Sequence, residues 1–203
     1  MAQIDSPAPP QPDTAVLLLD DGTRFEGLAI GAKGTTTGEV AFNTGMYGYQ
    51  EIFTDPSYKG QVLVMATAHI GNYGVHGEEN ESGQTQIAGL VVRNFSEVAS
   101  RVGDIEPLAD RLERDGIVGI AEIDTRGLIQ HIRDCGAMNA LISSDGTPEA
   151  ELLERLKATP SMEGLELSSR VTRQAAEDAE IRIPKSASPC LISATRRTSR
   201  AAS

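Results

Sequence analysis

The chain has 203 residues, enough for one domain with a proper core, and its 39% hydrophobic content is ordinary for a soluble protein. A net charge of −11 argues against nucleic acid as a partner, because phosphate binding needs basic patches, and no apolar run approaches the length of a membrane span. Two cysteines, Cys135 and Cys190, stand far apart in unlike surroundings; they make no disulfide framework and point to a reducing cytoplasm.

Residues 1–14 are Pro-rich and polar, with no basic start and no apolar core, so they read as a disordered leader and not as a signal peptide. Ala15 to Leu19 is an apolar strand ending in Asp20-Asp21-Gly22, a hairpin-type turn signal. Arg24 to Ile30 is a strand of mixed facing, Gly31 to Gly38 a Gly/Thr loop, and Thr37 to Phe42 a third strand. Next comes the most particular stretch of the chain, Phe42 to Tyr58. An apolar entry meets a Gly-Met-Tyr-Gly turn, a short amphipathic Tyr-Gln-Glu-Ile-Phe piece follows, and Asp55 before Pro56 forces a stop and a turn. That turn presents the hydroxyls of Ser57 and Tyr58.

Gln61 to Thr67 is nearly all apolar, as suits a strand covered on both faces, and Gln86 to Arg93 is another apolar strand beyond the acidic, polar loop of Glu78 to Ser82. Ile105, Leu108, Ala109 and Leu112 stand at helical spacing, with Asp104 as the N-cap and Gly116 as the stop. Ile117 to Ile123 is a strand. Asp124 then caps a helix with Leu128, Ile129 and Ile132 on its apolar face, ending at Gly136. Ala140 to Ile142 is the last strand, and Thr147-Pro148 opens a helix whose buried stripe is Leu152, Leu153 and Leu156. Strands first, then alternating helix and strand, predict an α+β or layered β/β/α domain over 15–160. Residues 161–183 lose periodicity and read as a linker. The last stretch, 184–203, is Ser/Arg/Ala-rich; from 181 onward there are five basic residues and no acidic one, against 13 basic and 29 acidic elsewhere.

The run from Phe42 to Tyr58 resembles the N-terminal half of the small, glutamine-hydrolysing chain of carbamoyl-phosphate synthase. The resemblance continues through His69-Ile70-Gly71-Asn72-Tyr73-Gly74, Gly89-Leu90-Val91-Val92-Arg93, Ile123-Asp124-Thr125-Arg126 and Gly136-Ala137-Met138, in the family's order, over about residues 15 to 145. Ala68 departs from it, standing where proline is usual. The resemblance implies a layered β/β/α domain of the swivelling type, with mixed β-sheets and three to four helices. It also implies a linker at 161–183 leading to an amidotransferase domain.

By the same resemblance Ser57 borders the glutamine site, where a hydroxyl can accept from the substrate's ammonium or donate to its carboxylate. His69 and Asn72 are expected at a domain or subunit interface; the ordinary alternative for His69 is a bond to nearby backbone. Asp124 is explained as a helix cap, and Arg126 either pairs with an acidic partner or lies at the contact with the large chain. A metal site from His69 and His76 lacks a third ligand, and no metal or other cofactor is expected.

Glutamine hydrolysis in this family uses a cysteine thiolate on a Gly-x-Cys-x-Gly turn, with a downstream His and Glu. Cys190 stands in Ser-Pro-Cys-Leu-Ile-Ser with no histidine after it, and Cys135 stands at a helix end beside Asp134, whose charge works against a thiolate. No catalytic residue is therefore expected in this chain. A frame shift beginning in the Lys185 codon permits the apolar strand and Asp-Phe-Gly with which the family opens its second domain, so 184–203 reads as a frameshifted or truncated tail. The leading expectation is the N-terminal domain of the small chain, which in the family works with a large chain that makes carbamoyl phosphate from bicarbonate, ATP and the released ammonia, for arginine and pyrimidine synthesis. Glutamine becomes a ligand only if a second domain is supplied. The alternatives are a free-standing, non-catalytic module that docks on the large chain or another partner, and a non-functional product that folds without partners.

Overall fold

The structure, a computed structural model, describes residues 14–103, 105–160 and 162. These fall in the first of two units, Met1–Val171; the second, Thr172–Ser203, lies outside the described residues, as do the expected leader up to residue 13, the linker apart from Met162, the basic tail and the proposed cap Asp104.

Among the described residues, nine strands and four α-helices follow in the order β1 (Thr14–Leu19), β2 (Arg24–Gly31), β3 (Thr35–Asn43), α1 (Tyr49–Thr54), β4 (Val62–Met65), β5 (His69–Ile70), β6 (Gly89–Val91), β7 (Asn94–Phe95), α2 (Leu108–Arg114), β8 (Val118–Ala121), α3 (Thr125–Cys135), β9 (Asn139–Ser143) and α4 (Glu149–Ala158). Seven strands close a barrel in the order β1-β2-β8-β6-β4-β3-β9. One arc, β3-β4-β6-β8, is parallel; the other, β8-β2-β1-β9-β3, is antiparallel. β5 and β7 form a separate parallel pair with His69 opposite Asn94.

The period of two along each strand sorts the apolar residues into layers. Ala15, Leu17 and Leu19, Val62 and Val64, Val118 and Ile120, and Ala140 and Ile142 point into the barrel, where Leu128, Ile129 and Ile132 of α3 join them. The alternate residues point outward into different layers. Leu63, Met65 and Leu90 on the parallel arc meet Tyr49 and Phe53 of α1 and Leu108 and Leu112 of α2. Leu18 and Leu141 on the antiparallel arc meet Leu152 and Leu156 of α4. Covering both faces explains strands that are apolar almost without interruption, and each such side chain contributes about 1.5–3 kcal/mol on burial.

Three expectations need correction. The expected Gly31–Gly38 loop is shorter and the expected Thr37–Phe42 strand longer, because β3 begins at Thr35 and the β-branched threonines pair with β9. A Cβ at Gly38 would stand 2.3 Å from the Gly60 carbonyl oxygen, so glycine there serves close backbone approach and not a turn. The helix expected from Ile105 begins at Leu108, with Pro107 extended as its N-cap residue. Glu106 is held out of helix by reciprocal backbone bonds with Val75, 2.9 and 3.1 Å, and the residue before a proline disfavours helix in any case. The strands expected over Gln61–Thr67 and Gln86–Arg93 are confined to four and three residues, because Gln61 N–H and Gln86 N–H donate to Tyr58 and Phe53 carbonyls at the edge of the Pro56–Tyr58 turn and α1. No helix among the described residues is long and apolar enough to cross a membrane.

The turn between β9 and α4 is organised by Asp145. Its carboxylate accepts from the Thr147 hydroxyl (2.6 Å), Thr147 N–H (3.1 Å), the Ser143 hydroxyl (2.9 Å) and the Thr35 hydroxyl (3.1 Å). These bonds, the Thr147 hydroxyl first, outweigh the small desolvation and hold the carboxyl far below its ordinary range. A depressed carboxylate stabilises the fold above its unfolded pKa of about 3.9 and loses that contribution as pH falls toward the folded value. Asp145→Asn should therefore lower the melting temperature at pH 7, and the gap to the parent chain should close progressively below about pH 4. Gly38→Ala should cost about 1–3 kcal/mol in a urea titration through the clash with Gly60, with an unchanged slope.

Candidate functional site

The stretch from Asn43 to Tyr58 leaves the barrel at the C-terminal end of β3 and is fastened on both sides by one residue. Asn43 Oδ1 accepts from Gly45 N–H at 2.6 Å, shaping the exit loop, and Asn43 Nδ2 donates to the Tyr58 hydroxyl at 2.9 Å, drawing in the Pro56–Tyr58 turn. Between these anchors Met46 and Tyr47 are 83% and 84% exposed, large apolar surfaces left open to solvent.

α1 begins at Gly48, which adopts φ +79 and offers no capping side chain. The missing cap is supplied from elsewhere. Tyr73 places its hydroxyl where the N–H groups of Gly48 and Tyr49 both donate to it, at 2.9 and 3.1 Å, and the Tyr49 hydroxyl donates to the Gly74 carbonyl at 2.7 Å. The two rings stack with centroids 4.1 Å apart. Burial pushes both phenols above their ordinary pKa, so each remains a neutral hydroxyl. Gln50, 2% exposed, completes the seam: its Oε1 accepts from His76 N–H at 2.8 Å, and its Nε2 donates to the His76 carbonyl and to Asn80 Oδ1. Two sequence motifs that read as separate, Tyr47-Gly48-Tyr49-Gln50 and Asn72-Tyr73-Gly74, are thus one packed unit.

A second group gathers where β4, β6 and β8 end. His69 pairs with Asn94 across β5 and β7; next to Asn94, the Arg93 carbonyl accepts from Glu122 N–H at 2.8 Å. The Arg93 guanidinium lies 3.7 Å from Asp124, a surface pair that contributes little to stability. Glu122 holds φ +64, unusual for a side chain other than glycine. Gly71 is required here as well: at φ +91, a Cβ would stand 2.4 Å from the Ser96 carbonyl oxygen. Beside this rim a cleft of about 450 Å³ runs between β2 and β7, with Leu28, Ile30 and Phe95 among its walls.

The residues singled out from sequence take the following places. Asp124 caps α3, accepting from Gly127 N–H at 3.2 Å. Arg126 is exposed in the first turn of that helix, with no ion-pair partner among the described residues. His69 is exposed in β5 and Asn72 in the turn that follows; the His69 imidazole makes no hydrogen bond among the described residues, whereas the Asn72 carbonyl accepts from Ser100 N–H and hydroxyl. Ser57 is exposed, and only its backbone is engaged, donating to Asp55 Oδ1 at 2.8 Å. His69 and Asp124 are brought to one rim through Asn94 and Arg93; among the described residues no side-chain bond ties Ser57 to it.

Sequence reasoning missed Asn43, Tyr49, Gln50 and Tyr73 as the residues that hold this surface in shape. The amphipathic pattern of Tyr49–Thr54 was the available signal for Tyr49 and Phe53. Nothing local marks Tyr73 as the cap of a helix 25 residues away. His76 contributes backbone only to the Gln50 seam. The one cluster of three potential metal ligands among the described residues is Asp21, His131 and Cys135, on the β1–β2 turn and α3.

Comparison with known proteins places this arrangement. A family model described as carbamoyl-phosphate synthase small chain, CPSase domain, matches residues 17–142. A carbamoyl phosphate synthase small chain from Salmonella typhimurium is 47% identical over 160 residues, covering 78% of this chain and 42% of the relative. The corresponding chain from Nostoc sp. is 49% identical over 158 residues, covering 78% and 41%, and that from Escherichia coli K12 is 46% identical over 160 residues, covering 78% and 42%. The chain thus spans about 42% of the length of the curated relatives it matches. Among solved structures, an aminopeptidase from Aneurinibacillus sp. strain AM-1 superposes with a TM-score of 0.37 at 12% identity, covering 66% of this chain and 31% of that one, a likeness too low to carry an argument. On the family model and these identities, the chain belongs to the carbamoyl-phosphate synthase small chain family.

Proposed function

We propose that this chain serves as the N-terminal domain of the small subunit of a glutamine-dependent carbamoyl-phosphate synthase in the cytoplasm, docking on the large synthase chain and helping to seat an amidotransferase domain without hydrolysing glutamine itself. Carbamoyl phosphate made by such an assembly would serve arginine and pyrimidine synthesis. The observation that carries the reading is the family match over 17–142, whose central motif leaves Met46 and Tyr47 open on a rigidly braced loop. Exposed large side chains on an ordered support are what interface anchors require. His69 and Arg126, exposed and with no side-chain partner among the described residues, are proposed to lie at the same contact, and Ser57 to border the glutamine site of the second domain.

We further propose that the barrel is a closed form of the layered swivelling β/β/α class: a parallel arc backed by α1 and α2 faces an antiparallel arc across the core.

The chemistry supports a non-hydrolytic role. Cys135 Sγ stands 3.8 and 3.9 Å from the two ring nitrogens of His131, equally far from both, so neither lone pair is aimed at it within proton-transfer reach.

The test is binding of the purified chain to a purified large synthase chain, read by surface plasmon resonance. We expect saturable binding that Tyr47→Ala and His69→Ala each weaken by about fivefold or more. Added to a complete synthase, the chain should lower glutamine-dependent carbamoyl phosphate formation by competition and leave ammonia-dependent formation unchanged. No binding, or binding indifferent to both substitutions, would overturn the docking role; glutaminase activity of the isolated chain would overturn the non-catalytic one.

A further inference from the structure

Far along α3 from Asp124, about 16 Å down an eleven-residue helix, the chain assembles a group that the docking role does not use. His131 and Cys135 are four residues apart, so the helical repeat sets them on one face in successive turns. The β1–β2 turn brings Asp21 to the same spot across 110 residues of sequence: Asp21 Oδ2 lies 2.5 Å from His131 Nε2, and the Thr23 hydroxyl lies 3.3 Å from the same nitrogen. Asp21, Thr23 and His131 are thereby locked into one orientation. Burial works against ionisation of Asp21, but bonds from Thr23 and the contact with His131 outweigh it and hold the carboxyl below its ordinary pKa.

One carboxylate oxygen, one imidazole nitrogen and one thiol sulfur all lie within 4.8 Å of one another. Donors on a single tetrahedral ion, at bonds of about 2.0–2.3 Å, are separated by roughly 3.3–3.8 Å, so small side-chain movements bring this trio to a common centre. The surroundings favour a cation. The free carbonyls of the last turn of α3 point toward this end, and the chain neighbours Asp20 and Asp134 outnumber the single basic residue of that turn, Arg133. Donor chemistry selects the ion: thiolate with imidazole and carboxylate suits zinc and its neighbours and disfavours magnesium and calcium.

We propose that Asp21, His131 and Cys135 form a binding site for one divalent transition metal of the zinc class, with the fourth position left to water. On binding, the Cys135 thiol releases its proton to solvent, His131 ligates through Nε2 with its ring proton on Nδ1, and the metal takes the place of the Asp21–His131 hydrogen bond. The ion ties the β1–β2 turn to the end of α3, across the seam where the barrel's first hairpin meets the helix whose apolar face joins its core. It acts as a clip and performs no chemistry.

The test uses the full chain carrying Cys190→Ser, which leaves Cys135 as the one thiol. Titration with Co²⁺ should raise a thiolate-to-cobalt charge-transfer band that saturates at one ion per chain and is displaced by Zn²⁺, and excess Zn²⁺ should raise the melting temperature. Cys135→Ser should abolish the band, and His131→Gln and Asp21→Asn should each weaken binding tenfold or more, with far-ultraviolet circular dichroism unchanged because Cys135 and Asp21 are exposed and His131 is half-buried. A band that survives Cys135→Ser, Co²⁺ binding indifferent to His131→Gln, or no saturable binding at all would overturn the site. Large-chain docking is read separately and is unaffected by either outcome.

Discussion

The hydroxyl of Tyr73 is the contact on which the presented surface depends. A six-residue helix that starts on a left-handed glycine has no cap of its own and is too short to persist by propensity. By accepting from Gly48 and Tyr49 together, Tyr73 satisfies two of the orphan donors that open α1, and its ring stacks on Tyr49 to bury the helix against the parallel arc. Everything downstream inherits that fixation: Gln50 is aimed at the His76 backbone, Thr54 receives the Glu81 N–H at 2.9 Å, and the loop of residues 75–86 is stitched down along the helix. Met46 and Tyr47 can then stand exposed without the loop around them collapsing.

The barrel supplies the rigid frame for this. Because β3 and β8 belong to both the parallel and the antiparallel arc, no strand of the seven is left with an open edge, and every residue of β4, β6, β8 and β9 is buried. The exits of the parallel strands converge on one rim, so that Arg93, Glu122 and Asp124 meet at the ends of β6 and β8 and Asn43 closes the end of β3. The other end of α3 joins the first hairpin through Asp21 and His131. Both ends of α3 therefore lie at the barrel end where the parallel strands finish, its start at the β8 exit and its finish beside the β1–β2 turn.

Much of this was legible from the residues. The period of 3.6 in Leu128, Ile129 and Ile132, with Asp124 before and Gly136 after, specified α3 to the residue, because caps act locally and their chemistry is written in the side chain that performs them. Leu152 and Leu156 marked the buried stripe of α4 for the same reason. The misjudged places are those where a distant partner overrides a local signal. Thr35 and Thr36 read as loop until β9 paired with them, and Ile105 stood at helical spacing while Val75 held Glu106 in a bridge. His131 and Cys135 were separated by one helical turn in plain sight, but their third member lay on a hairpin turn read for its backbone alone.

The sequence alone determined the kind of each long element, the two-sided burial of the strand within Gln61–Thr67 and the order of motifs that marks the family, since these follow from side-chain periodicity and from residues adjacent in the chain. Tertiary structure alone decided that the two arcs close into a barrel, that Tyr73 caps α1, that Asn43 clamps Tyr58, and that Asp21 reaches His131 across 110 residues. Such contacts depend on which strands become neighbours. That choice is governed by the global fit of buried surfaces and by the satisfaction of buried polar groups, and no window of local sequence contains it.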